Sequence, residues 1–212
     1  MQFKTLIFNA FQENTYLLYD GSGEAAIVDA GCATPRERER MQDVCAELGV
    51  RPTLLLNTHC HIDHLLGVAH LQRTYGAQAA AHPDDAPLLR TLPAQAGLFG
   101  VPLDEVPQFD MDLKHQQTVR FGNTTLLVLH TPGHSPGGVC FLHQESGTLL
   151  SGDTLFQGSV GRTDLPGGDY GTLMQSIKQH LLTLPNATVV LPGHGPQTTI
   201  EYERNHNPFI NS

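Results

Sequence analysis

Four short segments of this chain place metal-type donors where an apolar run stops. The first, Thr58-His59-Cys60-His61-Ile62-Asp63-His64, follows Thr53-Leu54-Leu55-Leu56 and sets three imidazoles and a carboxylate within six consecutive residues. The others are Gly133-His134, Gly152-Asp153 and Gly193-His194, each closing a later run. A histidine cluster is hard to solvate, and repulsive when protonated, unless something binds it. In an extended segment alternate side chains share a face. His59, His61 and Asp63 are therefore expected to point one way and Cys60 and Ile62 back into packing, with His64 entering from another angle. Glycine lets a strand end turn sharply and approach a site closely. Strand ends along one sheet edge are a natural place to assemble such a site.

Together the segments offer seven donors, too many for one zinc ion, which usually takes four. They divide between two ions: His59, His61 and His134 for the first, and Asp63, His64 and His194 for the second. Asp153 would bridge them, since a carboxylate has two oxygens to share. Each ion keeps an open position for water, as catalytic sites do. Two ions about 3.5–4 Å apart share a bridging water or hydroxide, because the cations lower the pKa of bound water. Zinc leads; iron and manganese also accept this nitrogen and oxygen set.

The rest of the chain is consistent with a globular enzyme. Its 212 residues are 40% hydrophobic and 16% charged, enough for a sizeable core and too apolar for disorder. A formal charge of −9 with histidine neutral argues against nucleic acid as a partner, since phosphate binding needs a basic surface. No run of about 18 apolar residues predicts a membrane span, and Met1-Gln2-Phe3-Lys4-Thr5 has no signal-peptide order. Cys32, Cys45, Cys60 and Cys140 are scattered; they read as reduced core thiols of a cytoplasmic protein. A monomer is favoured.

Residues 3–9, 14–19 and 24–29 read as an antiparallel meander, the last strand ending at Asp29. Thr34 with Pro35 opens a helix to Leu48, stopped by Gly49. A strand over 53–57 delivers the first donor segment. Helices are expected from Leu65 to Tyr75 and from Pro83 to Leu92, around a strand at 78–81. Residues 93–117 read as an irregular connection over one edge of the site. Strands at 118–121 and 124–130 form a hairpin on Gly122-Asn123. Strands at 138–142 and 148–151, a helix at 171–182 and a strand at 188–191 follow, with residues 195–212 as a tail. Two strand-rich halves with interspersed helices predict two facing βα layers with helices outside, in one domain.

The pattern THxHxDH, then GH, GD and GH, resembles the metallo-β-lactamase-fold superfamily over nearly the whole chain. Within it the chain is similar to a short form of the type II glyoxalases, the hydroxyacylglutathione hydrolases. Asp153 stands where many true β-lactamases of this fold carry cysteine, and Asn207-Pro208-Phe209 is similar to the end of the glyoxalase II catalytic region. The resemblance implies an α+β, αββα sandwich with two mixed sheets face to face. It implies one domain over 1–212 without the C-terminal helical glutathione-binding domain of longer relatives. It also implies hydrolysis of S-(2-hydroxyacyl)glutathione, such as S-D-lactoylglutathione, to glutathione and a hydroxy acid, as in methylglyoxal detoxification. Asp63 would orient the bridging hydroxide. The rival enzymes of the same superfamily are a mononuclear iron persulfide dioxygenase, using the equivalents of His59, His134 and Asp153, and a broader thioesterase or lactonase.

Around the donors, Arg162 is the basic candidate for an anionic substrate, with a loop-tying role as its plain alternative. Phe156 and Tyr170 are candidates for the substrate mouth. Asp29 is expected to hydrogen-bond a ligand imidazole or loop amide from behind. The remaining histidines, His130 among them, are read as structural or surface residues, and Cys60 as packing.

Overall fold

The computed structural model of the chain describes residues 1–211. Its first sheet opens with an antiparallel meander of β1 (Gln2–Phe8), β2 (Glu13–Tyr19) and β3 (Glu24–Val28). It continues with β4 (Arg51–Leu56), β5 (Gln78–Ala81) and β6 (Met111–Asp112), each parallel to the one before. The parallel crossovers are made by α1 (Pro35–Leu48), α2 (Val68–Tyr75) and α3 (Ala86–Phe99), since parallel neighbours need a long connection. Thr34 and Glu37 form a reciprocal cap at the start of α1, and Gly49 at φ 66° ends it, as side-chain caps and a left-handed glycine do.

The second sheet contains β7 (Thr118–Phe121), β8 (Thr124–His130), β9 (Val139–His143) and β10 (Thr148–Gly152), joined by hairpins. A ribbon of β11 (Leu155–Phe156) and β12 (Ser159–Val160) follows, then α4 (Tyr170–Ser176), which runs into a π-helical turn at Ile177–Leu181. β13 (Val189–Pro192) adds parallel to β10, and β14 (Thr198–Thr199) and α5 (Ile200–His206) complete the described chain. The order is β14-β13-β10-β9-β8-β7.

Three apolar clusters make the layers. Leu18, Val28 and Leu56 of the first sheet meet Phe121, Val128 and Phe141 of the second. The outer face of the first sheet, with Leu17, Ile27 and Leu55, packs on Met41 of α1, Leu71 of α2 and Leu92 of α3. The outer face of the second, with Leu142 and Val190, packs on Leu173 and Ile177. The result is the expected αββα sandwich of two mixed sheets. Cys32, Cys45, Cys60 and Cys140 are all free and buried. No helix among the described residues is long and apolar enough to cross a membrane.

Several local expectations need correction. The donor segment is not extended throughout: Ile62–His64 is a 3-10 turn. Helix α2 starts at Val68 rather than Leu65. The Asn57 side-chain amide donates to the His64 carbonyl, and Gly67 N donates to the Ala30 carbonyl, so these backbone groups serve neighbouring strand ends rather than a helix ladder. Residues 83–85 are a 3-10 turn, and α3 continues through Pro93 to Phe99. A proline costs about 3 kcal/mol inside a helix, but Leu88, Leu92 and Ala96, spaced by four, are all buried on one face and hold the helix beyond it. The tail contains β14 and α5, elements too short to show a period.

Candidate metal centre

The chain after β4 carries His59, His61, Asp63 and His64; the chain after β8 carries His134; Asp153 follows β10 and His194 follows β13. The two sheets are joined directly at this end. Val139 N donates to the Thr58 carbonyl at 2.8 Å, and Asn14 N to the Gly193 carbonyl at 2.7 Å. Gly193 has no room for a side chain: a Cβ there would run into the Asp153 carboxylate and the His64 ring.

The donors fall into two groups. His59 Nε2 and His134 Nε2 stand 3.3 Å apart, and His61 Nδ1 lies 2.8 Å from His134 Nε2. Two nitrogens on one tetrahedral zinc are separated by about 3.3 Å, so these three atoms converge as ligands of one ion would. In the second group Asp63 Oδ2 is 3.1 Å from His194 Nε2 and 3.5 Å from His64 Nε2. Asp153 lies between the groups: Oδ2 is 3.5 Å from His134 Nε2 and 3.7 Å from His194 Nε2, while Oδ1 is 3.6 Å from His64 Nε2.

The donor set suits metal ions on two counts. His64 Nε2 and Asp153 Oδ1 are buried without a hydrogen-bond partner, although buried polar atoms are ordinarily satisfied. Asp29, Asp63 and Asp153 make ion pairs only with histidines among the described residues, so the cluster lacks permanent positive charge. The electrostatic surroundings agree. Burial, reinforced by the neighbouring imidazoles, holds His59 well below the ordinary histidine range and His61 at about 3. Both are thus neutral, as a metal ligand must be. Burial pushes His64 down, but Asp63, Asp153 and Asp29 outweigh it and raise the ring well above its usual range. A divalent cation supplies that missing charge.

Four of the five imidazoles are oriented from behind. His59 Nδ1 lies 3.0 Å from Thr58 Oγ1, whose own proton goes to Asp29 Oδ2 at 2.6 Å. The far side of His64 faces Asp29, with Nδ1 3.2 Å from Oδ2. His134 Nδ1 donates to the Arg162 carbonyl at 2.8 Å, and His194 Nδ1 donates to the Phe11 carbonyl at 3.2 Å. A proton on the rear nitrogen leaves the other lone pair free for a metal. Asp29 sits just past β3 with φ 53° and also accepts from Thr58 N at 2.7 Å. It lies behind the donors, where a strand-end carboxylate was expected.

Of the remaining candidates, Arg162 and Phe156 line a cavity of about 1080 Å³ that opens over the donors. The Arg162 guanidinium is exposed and doubly bonded to Asp164, at 2.7 and 2.8 Å. Tyr170 does not line the cavity. As the first residue of α4 it is half-exposed, because the turn bonded by Asp169 N to the Gly133 carbonyl starts the helix away from the mouth. Cys60 is buried in the helix-side core. His82, His130 and Asp84 form a further histidine–aspartate group, but the two rings stack at 4.1 Å with planes 7° apart. Their in-plane lone pairs therefore lie in separate, nearly parallel planes.

Sequence reasoning missed Asp85. Its buried carboxylate accepts from Cys60 N at 2.8 Å, Ser135 Oγ at 3.0 Å and Gly137 N at 2.6 Å. One side chain therefore ties the loop of His59 and His61 to the loop of His134. Burial pushes its carboxyl up, against those three hydrogen bonds. In the sequence Asp85 is an acidic residue at a helix start, and nothing distinguishes it from an ordinary cap.

Comparison with known proteins shows the family. The pattern of the Metallo-beta-lactamase superfamily matches residues 8–194. The hydroxyacylglutathione hydrolase GloC of Haemophilus influenzae is 37% identical over 216 residues, spanning 100% of this chain and 99% of that protein. Among solved structures, the BLEG-1 B3 metallo-beta-lactamase superposes with a TM-score of 0.91 at 37% identity, covering 100% of both chains. TTHA1623 in a di-iron-bound form superposes with a TM-score of 0.86 at 39% identity, covering 99% of this chain and 100% of that one. By pattern, by full-length identity and by fold, the chain belongs to the metallo-beta-lactamase superfamily.

Proposed function

We propose that this chain is a two-metal thioester hydrolase of the glyoxalase II type, cleaving S-(2-hydroxyacyl)glutathione to glutathione and a 2-hydroxy acid. The observation that carries the reading is Asp153 lying between two donor groups, at 3.5 Å from His134 and 3.6 Å from His64. Full-length similarity to GloC supports the choice of thioester. His59, His61 and His134 would hold one divalent ion and Asp63, His64 and His194 the other, with Asp153 shared. Bound there, such ions polarise a carbonyl and generate hydroxide from water near neutral pH.

The protein's own part is positional. The cavity brings the thioester over His61, Asp63, His134, Asp153 and His194. Asp63, only 14% exposed at its side chain, is held ionised: its carboxyl falls below the usual range because His64 and His194 outweigh the opposing burial. An ionised carboxylate at the cavity floor accepts a hydrogen bond from the attacking water and fixes its approach. The rear hydrogen bonds to Thr58 and to the Arg162 and Phe11 carbonyls, with Asp29 facing His64, keep the imidazoles from swinging as charge develops.

The test is metal analysis of the purified protein beside an assay of S-D-lactoylglutathione hydrolysis, with a β-lactam and a persulfide as controls. Two ions per chain and thioester cleavage are expected. One iron per chain with oxygen consumption would replace the reading with persulfide oxidation, and β-lactam cleavage without thioester cleavage would replace it with lactam hydrolysis.

A further inference from the structure

The cavity above the donors is built for an apolar group. One wall is the end of α3, where Leu98 is 80% and Phe99 51% exposed; the Phe99 ring meets Phe11 edge-on at 5.5 Å. Leu88 continues this wall, and Phe156, Val160 and Leu165 line the cavity from the second half of the chain. Ligand cavities of such size are mostly apolar with a few polar groups that fix orientation, and here the polar groups are the donors on the floor with Thr91, Gln95, Ser159 and Arg162 around them. Solvent exposure of large apolar side chains is unfavourable, and an occupant would cover them.

Arg162 is the single lysine or arginine lining the cavity among the described residues, and Asp164 already neutralises it. The thiol carriers of biological thioesters are polar and anionic; glutathione has two carboxylates and one ammonium. Such a carrier gains little from this lining and is better left toward solvent. The acyl half is then the part that enters.

We infer that the cavity between α3 and the 156–167 segment is an acyl subsite, taking thioesters whose acyl group bears an apolar chain or ring larger than the methyl of a lactoyl group. This rests on the thioester reading above and names its substrate class. Each methylene fully removed from water adds up to about fourfold to affinity. Specificity for kcat/KM follows the same contacts where they persist in the transition state.

The experiment is a chain-length series on the metal-loaded protein: acetyl, butanoyl, hexanoyl and octanoyl thioesters, each on glutathione and on N-acetylcysteamine, beside S-D-lactoylglutathione. kcat/KM is expected to rise at least tenfold from acetyl to octanoyl on both carriers. Leu98→Asp and Phe99→Asp should each cut the octanoyl-to-acetyl ratio about fivefold or more, with unchanged melting curves showing that the variants are folded. A second readout avoids turnover: alkanols from butanol to octanol should displace an anilinonaphthalene sulfonate dye from the metal-free protein with constants that tighten with length. A flat series with thioesters still cleaved, or lactoylglutathione preferred to octanoylglutathione, would overturn the acyl subsite and leave the hydrolase reading standing. Failure of the metal-loaded protein to cleave any thioester would overturn both.

Discussion

Asp29 lies behind the candidate metal centre and Leu98 in front of it, and the chain holds them in opposite ways. Asp29 is 1% exposed, accepts two hydrogen bonds from Thr58 and faces His64. Leu98 is 80% exposed on the last turn of a helix. The rear fixes atoms by directional bonds inside a close-packed interior, where small displacements are resisted. The front offers area without direction and adapts to what covers it. On the readings proposed above, chemistry and specificity fall to different materials, and substitutions on the two sides should fail in different ways.

The largest effect is expected at the junction of the two donor groups. Asp153→Ala removes the carboxylate near both, and thioester hydrolysis should fall by roughly 10³-fold or more, the scale of losing several kcal/mol of charge stabilisation. Steady-state kinetics with metal analysis on a folded variant would measure it, and retained turnover would break the two-ion reading. Next comes Asp85→Ala. It orphans two backbone amides and a hydroxyl at about 1–3 kcal/mol for each buried group left unpaired, so destabilisation of about 3 kcal/mol is expected in urea melts. Asp29→Asn should leave the fold intact and weaken metal binding by roughly 10–100-fold, read by competition with a chromogenic chelator. Unaltered affinity would mean that the rear hydrogen bonds merely pack. The smallest effect belongs to the front. Leu98→Ser should change stability by no more than about 0.5 kcal/mol, as exposed substitutions do; a larger loss would show the α3 wall to be structural.

The rear was far more legible in the sequence than the front. A glycine followed by histidine or aspartate at a strand end announces itself, because strand ends, tight turns and ligating side chains each restrict residue type. The alternation argument served His59 and His61, which share one group, but not Asp63, which reaches the other group through the turn at Ile62–His64. The last carbonyl of that turn, on His64, accepts from the Asn57 side-chain amide, and Gly67 N just beyond it donates to the Ala30 carbonyl, partners that no local pattern reveals. Asp85 was hidden for a similar reason: its three donors lie 25, 50 and 52 residues away in the chain. At the front, the Pro and Gly residues from Pro93 to Pro107 make 93–117 read as irregular, which the structure corrects over 93–99 and bears out over 101–110. Burial of Leu92 and Ala96 carries α3 past Pro93, and it is this extra length that builds the apolar wall.

The donors span residues 59 to 194 and both sheets, so no short segment of the unfolded chain reproduces the site. A metal ion bound there acts as a clasp between the two halves. At a free concentration a hundred times its dissociation constant, a ligand of the native state alone raises stability by about 2.7 kcal/mol. Stripping the ions should therefore lower the melting temperature and release hydrogen-exchange protection first at the ends of β4, β10 and β13. Metal supply would then set the lifetime of the protein as well as its activity.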